Sequence, residues 1–91
     1  MDDAHFPRLM YEQLEQNFGS KEIDWVMKTV QVYYDCCGSI NKAAGILHIH
    51  KNTMLYRMNR IYSVLKMEHE TDFTKKFFLK VLLVYYQNLK N

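Results

Sequence analysis

One proline, Pro7, and three glycines in 91 residues leave this chain with very little to interrupt a helix. Gly and Pro cost a helix interior about 1 and 3 kcal/mol relative to Ala, more than any other residues. The few interruptions are Pro7, Gly19-Ser20, Gly38-Ser39 and the polar run from Glu68 to Asp72, and they divide the sequence into helical blocks. A chain this short buries only about 60–65% of its unfolded surface, which suffices for one core. An apolar content of 48% with 14% aromatics excludes intrinsic disorder. The expectation is an all-α fold, a compact bundle of about five helices, with residues 1–20 as a helical N-terminal extension and residues 21–91 as the main domain.

Pro7 suits the first turn of a helix reaching about Asn17, with Leu9, Met10, Leu14 and Phe18 on one side. From Lys21 to Cys37, the residues Ile23, Val26, Met27, Val30, Tyr33, Tyr34 and Cys37 recur at amphipathic helical spacing, and Gly38 is placed to stop the helix. Asn41 is a good N-cap for a short helix from Lys42 to Leu47, where Ala43 and Ala44 let another helix cross closely. Some seven residues cannot hold a helix by propensity, so this one depends on packing. His48-Ile49-His50 makes a tight turn with one apolar residue inward and His50 at an N-cap position. Lys51 to about Lys66 then places Met54, Met58, Ile61 and Leu65 inward and Asn52, Tyr56, Asn59 and Ser63 outward. The last block, Thr71 to Leu89, is capped by Thr71 or Asp72. It is apolar on more than one face, as a helix is when buried centrally or shared with a partner.

The total charge of +2 says little, but its distribution is informative. Residues 1–38 hold seven acids against three bases (net −4), residues 39–67 hold five bases and no acid (net +5), and residues 68–91 hold four bases against three acids (net +1). The acid-free span from Cys36 to Met67 coincides with the short helix, the turn and the helix that follows. Such a layout is a helix-turn-helix, whose second helix enters the major groove of duplex DNA by its N-terminal end. That end offers free N–H groups and the positive end of the helix dipole to phosphate. Lys51, Asn52 and Thr53 are the first candidates for base contacts: Lys suits guanine O6 and N7, Asn suits adenine N6 and N7, and Thr suits a thymine methyl. Leu55 and Tyr56, one turn on, add an apolar contact and a phenol. Lys42, Arg57 and Arg60 are candidates for phosphate. Arg57 has a competing structural role, because it flanks the inward stripe and could pair with Asp35.

The stretch from Thr29 to Ala44, followed by Leu47-His48-Ile49-His50-Lys51-Asn52-Thr53-Met54-Leu55-Tyr56-Arg57-Met58 and Arg60-Ile61, resembles the C-terminal DNA-binding domain of PucR/CdaR-type bacterial regulators. Its helix-turn-helix is also similar to that of the nucleoid protein Fis. The specific part is the pattern AA…LHIHKNT.LYR…RI, and the likeness covers roughly residues 23–67, with an aromatic and aliphatic last helix in the right place. The resemblance implies sequence-specific DNA binding and transcriptional regulation as a dimer or higher oligomer. Two positions depart from the family pattern: Lys66 stands where members often carry Gly, and Leu55 where they frequently carry Arg. Members usually carry this domain behind an N-terminal sensor module, for which 91 residues leave no room. The chain is therefore expected to be an excised domain of a longer parent or a stand-alone relative.

Other chemistry finds less support. The His48-x-His50 pair has no further ligand in its block, so no metal is expected, nor any cofactor. Cys36 and Cys37 are adjacent and bridge only with strain, so they read as free thiols in a reducing cytoplasm. An acidic start, Met1-Asp2-Asp3, is unlike a signal peptide, and no apolar run approaches the 18 or so residues that span a bilayer. An enzyme is not expected, because the polar residues converge on a convex helix and not in a pocket. RNA binding lacks its aromatic pair and Gly-rich loop. For the last helix, Phe77, Phe78, Val81, Leu82, Tyr85 and Tyr86 are candidates for an isologous homodimer interface, with another face closing the core. The alternative to a DNA reader is a helical protein-interaction or dimerisation module with an incidental basic face.

Overall fold

The computed structural model describes residues 5–91, which form five helices and no strand: α1 (His5–Phe18), α2 (Ile23–Asp35), α3 (Ile40–Leu47), α4 (Lys51–Val64) and α5 (Asp72–Lys90). The acidic start Met1-Asp2-Asp3 lies outside the described residues. A common core gathers Met10 and Leu14 of α1, Val26, Met27 and Val30 of α2, Ala43 and Ala44 of α3, Met54, Met58 and Ile61 of α4, and Leu79, Leu82 and Leu83 of α5. The first helix, expected as an extension, thus lends two side chains to this core and packs on α2, α4 and α5. Short α3 survives as anticipated by packing, its two buried alanines set against α2 and α4.

Some expected faces and ends shift. Leu9 is 42% exposed and Cys37 is exposed, so neither belongs to an inward stripe. Thr29, in contrast, is wholly buried, its hydroxyl donating to the Trp25 carbonyl at 3.0 Å. The N-cap of α3 is Ser39 and not Asn41: Ser39 is extended and its Oγ accepts from the Lys42 N–H at 3.3 Å, so the helix starts earlier. Thr71 caps α5, accepting from the Thr74 N–H at 3.1 Å.

Helices α2, α3 and α4 end in the same way. A left-handed residue closes each of them, namely Cys37 (φ 54), His48 (φ 57) and Lys66 (φ 58), the first and last just after the C-cap and His48 as the C-cap itself. Its N–H bonds back to Tyr34, Gly45 and Ser63 respectively, while the next residue, Gly38, Ile49 or Met67, bonds to Tyr33, Ala44 or Tyr62 at 2.8–3.0 Å. This is the Schellman arrangement, and Ile49 and Met67 supply its inward apolar contact. The left-handed position usually belongs to glycine, since a side chain there costs about 1–2 kcal/mol. Gly38, expected to stop α2, comes one residue late, and Cys37 takes the strained place.

Candidate nucleic-acid interface

Between α3 and α4, the chain reverses through His48, Ile49 and His50. His50 is the N-cap expected of it: extended, with its Nδ1 accepting from the Asn52 N–H at 3.0 Å. The inward side of α4 is fixed by Met54, Met58 and Ile61, each no more than 1% exposed, and by Tyr62. Burial raises the Tyr62 phenol well above its ordinary pKa, with Tyr33 beside it adding to the shift. Sequence spacing alone does not mark Tyr62 as a core residue, because a phenol at that spacing reads equally well as a flanking position.

A firmly held inner face leaves the outer one to solvent. Lys51, Asn52, Thr53, Leu55 and Tyr56 are all exposed, Tyr56 at 65%, along with Asn59 and Ser63. Among the described residues, none of the side chains of Lys51, Asn52, Thr53 and Tyr56 is hydrogen-bonded or ion-paired within the chain. Lys42 is exposed on α3. The α4 residues form an exposed ridge along that helix.

The two arginines behave differently from the lysines of the ridge. The Arg57 guanidinium lies 3.6 Å from the centroid of the Trp25 ring, and its Nη1 is buried without a hydrogen-bond partner among the described residues. It does not pair with Asp35, whose carboxylate accepts instead from Gln31 at 2.9 Å. Asp35 closes α2 whereas Trp25 opens it, about 15 Å apart along the axis, and Arg57 meets the near end. Arg60 lies over Phe18, 4.5 Å from its centroid. Trp25 and Phe18 were not legible as platforms, because nothing local in their sequence signals a ring facing a helix thirty or more residues on.

On the opposite flank, Lys75 lies 4.8 Å from the centroid of Tyr62, while Lys76 and Lys80 lie 6.0 and 5.5 Å from that of Tyr34. A cavity of about 290 Å³ separates this flank from the ridge, with Leu55 and Asn59 on one wall and Lys75 and Lys76 on the other.

Of the candidate dimer residues, Leu82 is fully buried in the chain's own core, since the face bearing Leu79, Leu82 and Leu83 turns inward. Phe78 is half-buried, 5.2 Å from Phe6. Tyr85 and Tyr86 each lie 5.9 Å from Tyr11, and Val81 is half-buried. Phe77 remains 56% exposed and is joined outside by Phe73, Val84 and Leu89. Among the described residues no cluster of three His, Cys, Asp or Glu could hold a metal ion, and no helix is long and apolar enough to cross a membrane.

Neither the curated proteins nor the solved structures contain a match to the chain. The PucR C-terminal helix-turn-helix domain, however, matches residues 26–84, from the first turns of α2 through most of α5. Because that span takes in α3, the turn and α4 with most of α2 and α5, and is well over half of the chain, the protein belongs to the PucR C-terminal helix-turn-helix domain family.

Proposed function

We propose that this domain reads duplex DNA sequence-specifically for a bacterial transcriptional regulator, with α4 as the helix that enters the major groove. Its family implies a DNA-binding regulator. What carries the finer reading is the outer face of α4, exposed and uncommitted, at the end where the helix dipole favours phosphate. Lys51, Asn52, Thr53, Leu55 and Tyr56 approach bases, and Lys42, Arg57 and Arg60 approach phosphates. Arg60, exposed over Phe18, keeps charge free for this, whereas Arg57 must first leave Trp25. Selection from random duplex DNA should return an operator. Binding to it should weaken steeply with salt, log K falling by about 0.9 per phosphate contact for each unit of log salt concentration. Unchanged affinity after Lys51→Ala with Arg60→Ala defeats the reading.

The exposed Phe77 and Val84, which line one groove with Val81, Tyr85 and Lys80, favour a second element, a homodimer formed through this face of α5 with Lys80 left at its polar rim. Two-fold pairing calls for operator half-sites about 34–36 Å apart. Sedimentation with and without DNA checks it: a tight dimer that binds no duplex would support a pure interaction module instead.

A further inference from the structure

Lys75, Lys76 and Lys80 stand on tyrosine rings beside the ridge, and none of the three has a carboxylate within ion-pair distance among the described residues. The geometry points to a second DNA-contacting surface on the first half of α5, in which these three lysines hold backbone phosphates flanking the base pairs read by α4. The inference rests on the proposed function and extends it to residues outside the helix-turn-helix.

Three observations carry it. The first is place: Lys75 and Lys76 line the same cavity as Leu55 and Asn59 of α4, so a duplex lying along α4 brings its backbone past them. The second is orientation: a ring beneath an ammonium group limits where a flexible side chain can go while leaving its charge available. Tyr34 belongs to α2 and Tyr62 to α4, so the rings are themselves fixed by the core. The third is the lack of an internal partner. Asp72 shares the cavity but makes no ion pair with either lysine, and the adjoining wall carries Tyr33, Asn59 and no second acid. Lysine at such a place acts as a point charge, which suits a phosphate and carries no base preference.

The test is a salt titration of binding to the selected operator and to a scrambled duplex, using Lys75→Gln, Lys76→Gln and Lys80→Gln combined. The log–log salt slope should become shallower by about 1 for each lysine that contacts phosphate, so by roughly 2–3 in total, and equally on both duplexes. Arg at all three positions should restore it, and Lys90→Gln, which removes a lysine already paired with Asp24, should leave it unchanged. Circular dichroism of the triple variant should match wild type. A full slope in the triple variant overturns the inference, as does a loss confined to the operator. If wild type binds no duplex, the proposed function fails and this surface with it. If wild type binds and Lys51→Ala with Arg60→Ala abolishes binding while the triple variant keeps its slope, this inference alone fails.

Discussion

Asp24 and Trp25 are neighbours on the first turn of α2, yet they face two regions that treat charge in opposite ways. Asp24 turns to the end of α5, where its carboxylate accepts from the Tyr86 hydroxyl and pairs with Lys90 at 3.0 Å. Trp25 turns to α4 and offers Arg57 only a ring face. On the α5 side a cation meets an anion and the local charge is closed. Around α4 and the first half of α5, Arg57, Arg60, Lys75, Lys76 and Lys80 rest on aromatic rings and, among the described residues, none pairs with an acid, whereas Lys90 lies over Tyr86 and has the Asp24 carboxylate as well. A ring contact is worth about 0.5–2 kcal/mol and leaves the charge uncompensated, so it orients Arg60 and the lysines without consuming their ability to hold an anion, whereas Arg57, its Nη1 buried, must leave its ring first. The contrast separates a side of the molecule that closes its charge internally from one whose cations meet only rings.

The largest effect expected is one that erases the contrast. Met54 is fully buried beneath the ridge, and Met54→Ala should cost about 2–5 kcal/mol. Because one core underlies both regions, denaturation followed by Trp25 fluorescence and by far-UV circular dichroism should shift together. Separate transitions would mean that the α4 side melts alone and that the two regions are independent units. Trp25→Ala should cost less, about 1–3 kcal/mol, by removing the platform under Arg57. Trp25→Phe keeps a ring and should recover most of that loss. Equal losses in the two variants would show that the guanidinium gains nothing from the ring.

How much of this could be read in advance differs between the two regions for a physical reason. The helices, the His50 cap and the inward Met54, Met58 and Ile61 follow from local periodicity and capping chemistry, which short sequence windows contain. The outward set from Lys51 to Tyr56 follows as the complement of that stripe. Arg57 on Trp25 and Tyr86 on Asp24 are separated by 32 and 62 positions, and no window records them. The three α5 lysines were masked in another way: Glu68, Glu70 and Asp72 offset them in the segment total, although those acids do not reach them in space.

Left-handed Lys66 sharpens the comparison further, since it ends α4 at a strain that a glycine would relieve. Lys66→Gly should raise stability by about 0.5–1 kcal/mol, the relieved backbone cost exceeding the entropy that glycine adds to the unfolded chain. Operator affinity should stay as it is. A fall in affinity would make Lys66 one more phosphate contact and would widen the uncompensated region to the end of α4.

The smallest effect tests whether the Asp24 side closes its charge in the manner described. The Tyr86 hydroxyl, and after it Lys90, hold the Asp24 carboxyl below its ordinary pKa. A carboxylate depressed in the folded state adds stability that is full above its unfolded pKa, about 4, and is lost as pH falls through the lower folded value. Wild type should therefore show an acid-side decline that is shallower in Tyr86→Phe, with the two melting curves converging at the lowest pH. Tyr86 itself is raised, by burial first and by Asp24 second, so its share is present below about pH 10 and fades above it. The phenylalanine variant lacks that alkaline contribution. Should the Tyr86→Phe deficit persist undiminished in acid, the tyrosine would be acting through its ring against Tyr11 and not through Asp24. Both regions would then be held by aromatic contacts alone, and the charge contrast between them would rest on Lys90.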